Sequence, residues 1–213
     1  MILFLDTVSI SPVFVLMNNS KVIYSIQILN NKSNKISDNI LPAFLTLQKK
    51  LKNDQKIKKL IVLRGPGSYT SLRIGIGFMY GLSYANNIPL IGVDCVKLLE
   101  IGLNFKQKKE SIIFISSLNN QNFISYYCYK DDNYLIKKID KLDTFVSINT
   151  KINQYKNIFS NEKILINDNL FTTQKFFYKN FTEVIMSNID SILKLKKSDY
   201  ISPIYISENK LLN

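Results

Sequence analysis

The chain has 213 residues, enough for one large domain or two small lobes around a real core. It is 46% hydrophobic with only five prolines, which excludes a disordered chain, and its lack of histidine excludes Ser-His-Asp and Cys-His catalytic units and any His-based metal site. The formal net charge is +12, but Arg64 and Arg73 are the only arginines, and the lysine excess among many Asn and Ile residues reads as compositional drift rather than a dedicated phosphate-reading surface.

The opening MILFLDTVS lacks a basic leader and is interrupted by Asp6, so it is not expected to be a signal peptide. Ile2–Leu5 is expected as a strand ending at Asp6-Thr7. Val13–Met17 and Val22–Leu29 follow as strands two and three, joined by the turn residues Asn18-Asn19-Ser20. Asp38–Lys52 has a wide apolar stripe that includes Leu41, Phe44 and Leu45, and it reads as a helix with Lys49, Lys50 and Lys52 in its last turn. Leu60–Leu63 is a buried strand. It turns through Gly65-Pro66-Gly67 into a helix from Ser68 to Asn86, closed by Asn86-Asn87 before Pro89.

Leu90–Val93 is a further strand and Lys97–Phe105 a helix. The second half restarts the pattern, with strands at Ser111–Ser116, Asn122–Lys130 and Tyr134–Ile139, a short strand at Ile164–Ile166, and an amphipathic helix at Thr182–Lys197. Turns fall at Asn119-Asn120 and Asp131-Asp132-Asn133. Two successive runs of three strands, then helix and strand, predict two related lobes, residues 1–104 and 105–213, with the C-terminal tail able to return to the first. Cys95 and Cys128 lie far apart in apolar stretches and read as buried, reduced thiols of a cytoplasmic protein. No apolar run approaches the ~20 residues a membrane span needs.

Three features could carry chemistry. A glycine turn feeding a helix N-terminus offers free N–H groups and a dipole to an anion, so Gly65, Gly67, Ser68 (the expected cap) and Thr70 form a candidate nucleotide or anion loop. No Lys follows the glycines as in a Walker loop, and Thr70 and Ser71 stand where a dinucleotide fingerprint needs its third glycine. Asp6 and Thr7, at a strand end before a hairpin, could hold hydrated magnesium, as the first phosphate loop of sugar-kinase and actin-like folds does. The helix after the glycine turn contains Gly75, Gly77 and Gly81, each costing roughly 1 kcal/mol against Ala. With apolar residues nearly all round, it predicts one face on the sheet and one on a partner.

Together, Asp6-Thr7, the helix containing Leu41-Pro42, and GPGSYTSLRIGIG resemble the TsaB/YeaZ family, bacterial proteins that take part in making threonylcarbamoyladenosine on tRNA. Residues 65–75 match the usual family string GPGSFTGLRIG except at Tyr69 and Ser71. Ile88–Val93 matches the IPL.GV that follows, and Pro203-Ile204-Tyr205-Ile206 echoes a C-terminal element. The resemblance implies an α/β fold of two actin/Hsp70/sugar-kinase-like (ASKHA) lobes, with mixed sheets flanked by helices. It also implies a non-catalytic role, with no catalytic residue and no metal site. The implied partners are a TsaD-like catalytic subunit and a TsaE-like ATPase, with tRNA engaged through the complex and a homodimer when the chain is alone. The implied contact residues are Leu41, Phe44, Leu45, Arg73, Gly77, Met79, Tyr80, Gly81 and Tyr84. The chain would have no cofactor of its own, and ATP or ADP with Mg would sit at a complex interface.

Departures from the family pattern are the missing acidic residue near Ile10, the missing histidine near Ile36, and the DAR-like strand blurred into Ser117-Leu118-Asn119. The glycoprotease label once attached to this superfamily finds no support in these residues. A rival reading is a small-molecule kinase or ATPase using Asp6 and the Gly65–Gly67 loop. A third, ranked last because no aromatic-basic interleaving is visible, is an RNA-binding protein driven by charge.

Overall fold

A computed structural model describes residues 1–18, 21–29, 35–52, 55–102, 108–118, 121–130, 134–142, 155–163, 175–195 and 200–206. The first sheet holds β1 (Ile2–Asp6), β2 (Val13–Asn18), β3 (Lys21–Gln27), β4 (Lys59–Leu63) and β5 (Leu90–Val93), in the order β3-β2-β1-β4-β5. The second holds β6 (Ser111–Ser117), β7 (Gln121–Lys130), β8 (Tyr134–Leu142), β9 (Asn157–Ser160) and β10 (Lys175–Tyr178), in the order β10-β9-β6-β7-β8. In each sheet the first three strands form an antiparallel meander and the last two join in parallel beside the first. The second sheet therefore repeats the topology of the first, and the fold is the two-sheet α/β, ASKHA-type architecture that the sequence resemblance implies.

Helices α1 (Ile36–Gln48) and α2 (Tyr69–Asn86) cover one face of the first sheet. β1 carries Leu3 and Leu5 on that face and Ile2 and Phe4 on the other, the alternation that a strand buried on both sides requires. The second face forms the central core with the second sheet, α3 (Cys95–Gly102), α4 (Phe181–Ser187) and α5 (Ile189–Leu193). The outer face of the second sheet adds a small cluster around Ile112, Phe114, Ile124, Tyr155 and Ile158.

Several boundaries differ from the sequence reading. α1 begins two residues early because Ile36 is itself buried, and it ends at Gln48, so Lys49 is the C-cap and Lys50 lies in the turn beyond. α3 starts at Cys95 because the Asp94 carboxylate accepts the Lys97 N–H at 3.1 Å and caps the helix. Ser68 stands at the N-cap of α2 but makes no capping bond with its side chain. The expected helix at Thr182–Lys197 is broken at Asn188, whose side chain donates to the Val184 carbonyl at 2.9 Å. Val184, Ile185, Ile189 and Ile192 all point into the core as their spacing requires. The short strands β9 and β10 have no counterpart in the reading, and Ile164–Ile166, together with the turns at Asn119-Asn120 and Asp131–Asn133, lies outside the described residues. Cys95 is buried, with burial and the nearby Asp94 and Asp6 pushing its thiol well up; the Cys128 side chain lies outside the description.

Candidate functional site

Three segments meet where the two sheets touch. The first is the loop after β1. The Asp6 carboxylate accepts the N–H groups of Val8 at 2.7 Å and Ser9 at 2.9 Å on one oxygen, and the Ser9 hydroxyl at 2.6 Å on the other. This is a closed Asx-type turn. Burial pushes the Asp6 carboxyl up, against the pull of these hydrogen bonds. The second segment is the glycine turn. Gly65 has φ +106, a region favouring glycine, and a Cβ there would lie 2.8 Å from the Ile204 carbonyl. Gly67 lies against Val8 and Ser117, with 3.2 Å and 3.3 Å from a built Cβ. The third is the end of β6, where the Ser117 hydroxyl accepts the Ser68 N–H at 3.2 Å and the Leu118 N–H donates to the Val8 carbonyl at 3.0 Å.

The candidate anion loop is thus brought together but filled with protein. Asp6, Thr7, Gly65, Gly67 and Ser68 are all buried, and only Thr70 is exposed. The loop is not an open cradle. Asp6 directs both carboxylate oxygens at its own loop, Ser117 holds the Ser68 amide, and Thr7 is covered by α2 at Gly75. Ile10, where the family pattern carries an acid, has its N–H met by the carboxyl of Glu162, which burial and the nearby Asp6 push upward. No group of three or more His, Cys, Asp or Glu residues able to hold a metal occurs among the described residues.

The other candidate surface lies on α1 and α2, which pack side by side through Phe44 and Phe78 at 5.4 Å. Leu41, Leu45 and Tyr84 are exposed, Tyr84 at 93%. Gly77 and Gly81 are exposed, with nothing within 4 Å of a Cβ built on either. Arg73 is exposed and donates to the Tyr69 hydroxyl at 3.0 Å. Two expected contact residues are corrected. Met79 is fully buried, and Phe44 is buried within a ring cluster with Phe14 and Phe78, because both face the sheet. Tyr80 is half-buried, its hydroxyl accepting the Ile201 N–H.

Ile201 belongs to a C-terminal strap, residues 200–206, lying along the first sheet. Its side chain covers Gly92, and the Ile204 N–H donates to the Arg64 carbonyl at 2.6 Å. Tyr205 packs on Tyr69 with ring centroids 4.5 Å apart. Sequence reasoning missed Tyr69 and Tyr205 as surface groups, since 136 positions in the numbering separate them and only the fold pairs them.

Residues 30–184 match the family model described as TsaD: tRNA N6-adenosine threonylcarbamoyltransferase. The tRNA threonylcarbamoyladenosine biosynthesis protein TsaB of Buchnera aphidicola subsp. Schizaphis graminum (strain Sg) is 28% identical over 196 residues, covering 86% of this chain and 90% of that protein. The chain belongs to the TsaB/YeaZ family. Escherichia coli (strain K12) TsaB is 44% identical over 46 residues, 22% of this chain and 20% of its own. Among solved structures, YeaZ from Pseudomonas aeruginosa superposes with a TM-score of 0.56 at 14% identity, over 96% of this chain and 99% of its own. A second Pseudomonas aeruginosa protein, described as uncharacterized with similarity to peptidase YEAZ, gives 0.58 at 15% identity, over 97% and 99%. At these identities the superpositions establish the TsaB/YeaZ fold, not an activity. No helix among the described residues is long and apolar enough to cross a membrane.

Proposed function

We propose that this chain is a non-catalytic scaffold and activator subunit in the formation of N6-threonylcarbamoyladenosine on tRNA. It binds a TsaD-like catalytic subunit, and a TsaE-like ATPase joins the complex. The observation that carries this reading is the free face of α1 and α2, where exposed Leu41, Leu45 and Tyr84 flank two glycines open to close approach. Bare glycines on an exposed helix cost stability, and a second helix packed against them offsets that cost. The filled β1 loop supports a role without catalysis on this chain, because Asp6 is buried and both its oxygens serve its own loop rather than an open site. ATP or ADP with Mg would then belong to an interface of the complex. The same helices pair two copies when the partner is absent, and the complex works in the cytoplasm.

Size-exclusion chromatography with a cognate TsaD-like protein tests the reading. A mixed complex is expected, displacing the homodimer. Gly81→Leu should prevent it while leaving the melting temperature near that of the parent. Two folded partners that never co-elute would refute it. The kinase rival predicts magnesium-dependent ATP hydrolysis by the chain alone, abolished by Asp6→Asn.

A further inference from the structure

A surface cluster joins Arg73 of α2 to the C-terminal strap. Arg73 lies on the exposed face of α2, with its guanidinium 5.2 Å from the Tyr69 ring centroid and one N–H donated to the Tyr69 hydroxyl. Tyr69 packs on Tyr205 from the strap, which is anchored one residue earlier to the carbonyl of Arg64. Tyr200 is 76% exposed and close enough to Tyr205 to act on its hydroxyl electrostatically, as Tyr69 and Arg73 also do. Tyr69 and Tyr205 keep 53% and 41% of their surface open to solvent. Among the described residues neither arginine has a carboxylate partner. A guanidinium has five N–H donors, so the bond to Tyr69 leaves Arg73 most of its capacity.

These are the parts of a single-strand nucleic-acid platform: aromatic faces on which a base can stack, and a planar cation that stacks or grips phosphate. In a chain of net charge +12 whose cations are nearly all lysine, Arg73 is an arginine that falls where a planar group matters. An acidic or phosphorylated polymer would be drawn to the molecule generally, and this cluster is where it could be held. Tyr69 and Arg73 also begin the exposed row that continues through Gly77 and Gly81, so the cluster sits at the rim of the docking face. We infer that Tyr69, Arg73 and Tyr205 form a contact site for an unpaired RNA nucleotide, the base stacking on the tyrosine pair and its phosphate meeting Arg73. The inference rests on the tRNA-modification reading and adds to it a direct contact between this chain and the RNA.

Fluorescence anisotropy of the full chain with fluorescein-labelled single-stranded uridine and adenosine heptamers tests it. Tyr205→Ala and Arg73→Lys should each weaken binding on the order of tenfold. Tyr205→Phe should bind as the parent does, which guards against a merely structural loss. Lys141→Ala, distant in sequence on β8, should change affinity less than twofold. No measurable RNA binding by the parent, or equal loss for Arg73→Lys and Lys141→Ala, would overturn the site. If the tyrosine and arginine variants keep RNA affinity but fail to co-elute with the TsaD-like protein, the cluster is a protein contact and the inference falls while the scaffold reading stands. If RNA binding behaves as expected but the parent forms no mixed complex, the scaffold reading alone is lost.

Discussion

The hydroxyl of Thr7 occupies the space a side chain on Gly75 would need: a Cβ built on Gly75 lies 2.5 Å from Thr7 Oγ1. Thr7 is fully buried, and its hydroxyl has no hydrogen-bond partner among the described residues. α2 is therefore pressed against the end of β1 at this point, and Gly75 is needed for space. Gly75→Ala is expected to cost roughly 1–3 kcal/mol, read as a lower urea midpoint. Gly77→Ala and Gly81→Ala meet open space and should gain about 0.5–1 kcal/mol each in the same helix. A neutral Gly75→Ala beside destabilising changes at 77 and 81 would mean that α2 faces the other way.

Asp6 and Glu162 set a pH dependence with a definite sign. Their carboxyls stand above the ordinary values of 3.8 and 4.5, chiefly through burial. The folded state thus holds these protons more tightly than the unfolded state. Their ionisation penalises the fold at neutral pH; that penalty shrinks as pH falls through the raised folded values, and the gain is complete below the unfolded ones. Asp6→Asn can keep the same turn, its carbonyl accepting from Val8 and Ser9 and its amide donating to the Ser9 hydroxyl. It should flatten this dependence in urea titrations between pH 4 and 7 with little loss of stability. Asp6→Ala leaves buried donors unpaired and should cost about 2–4 kcal/mol. A pH profile identical in the parent and Asp6→Asn would contradict the burial of this carboxyl.

The strap depends on Tyr80. Tyr80→Phe removes the acceptor of the Ile201 N–H and should cost about 1–2 kcal/mol. Amide exchange at Ile201 should accelerate first, with Ile204 following as its bond to Arg64 loosens. Unchanged protection at both amides would show that the strap is held by the packing of Ile201 on Gly92 alone.

Ser117 joins the two sheets through the amide of Ser68. Ser117→Ala should lower stability by about 1 kcal/mol, and Ser117→Thr, which restores the hydroxyl but crowds Gly67, should recover only part of it. Thermal melts of the three proteins distinguish this from simple loss of volume, which would leave the Thr variant the most stable.

Much of the first sheet was legible because its strands and helices bury apolar stripes whose period can be read directly, as at Ile2–Leu5 and Leu60–Leu63. The repeated meander in the second half was visible for the same reason. β9 and β10 were not, because Asn157–Ser160 and Lys175–Tyr178 are four-residue pieces whose pairing is decided by the neighbouring strands. At the site, the glycine turn was legible as geometry but not as chemistry. Whether Asp6 and Ser68 face a ligand or the protein depends on Ser9 and Ser117, and the latter lies 49 positions from Ser68. Met79 was misplaced because the almost uniformly apolar α2 gives no polar stripe to say which side faces the sheet, and Phe44 because the apolar stripe of α1 is wide enough that Leu41 and Leu45 stay exposed while Phe44 is buried.

The meeting of the β1 and β6 ends has a mechanical consequence. The ends of β1 and β6 are where the two sheets are tied to one another. Here that point is riveted by the Leu118 amide on Val8, the Ser117 hydroxyl on the Ser68 amide, and the seating of α2 on Thr7. A load applied to the exposed side of α2 is carried through Ser68 into the second sheet, so the helix and that sheet are mechanically coupled.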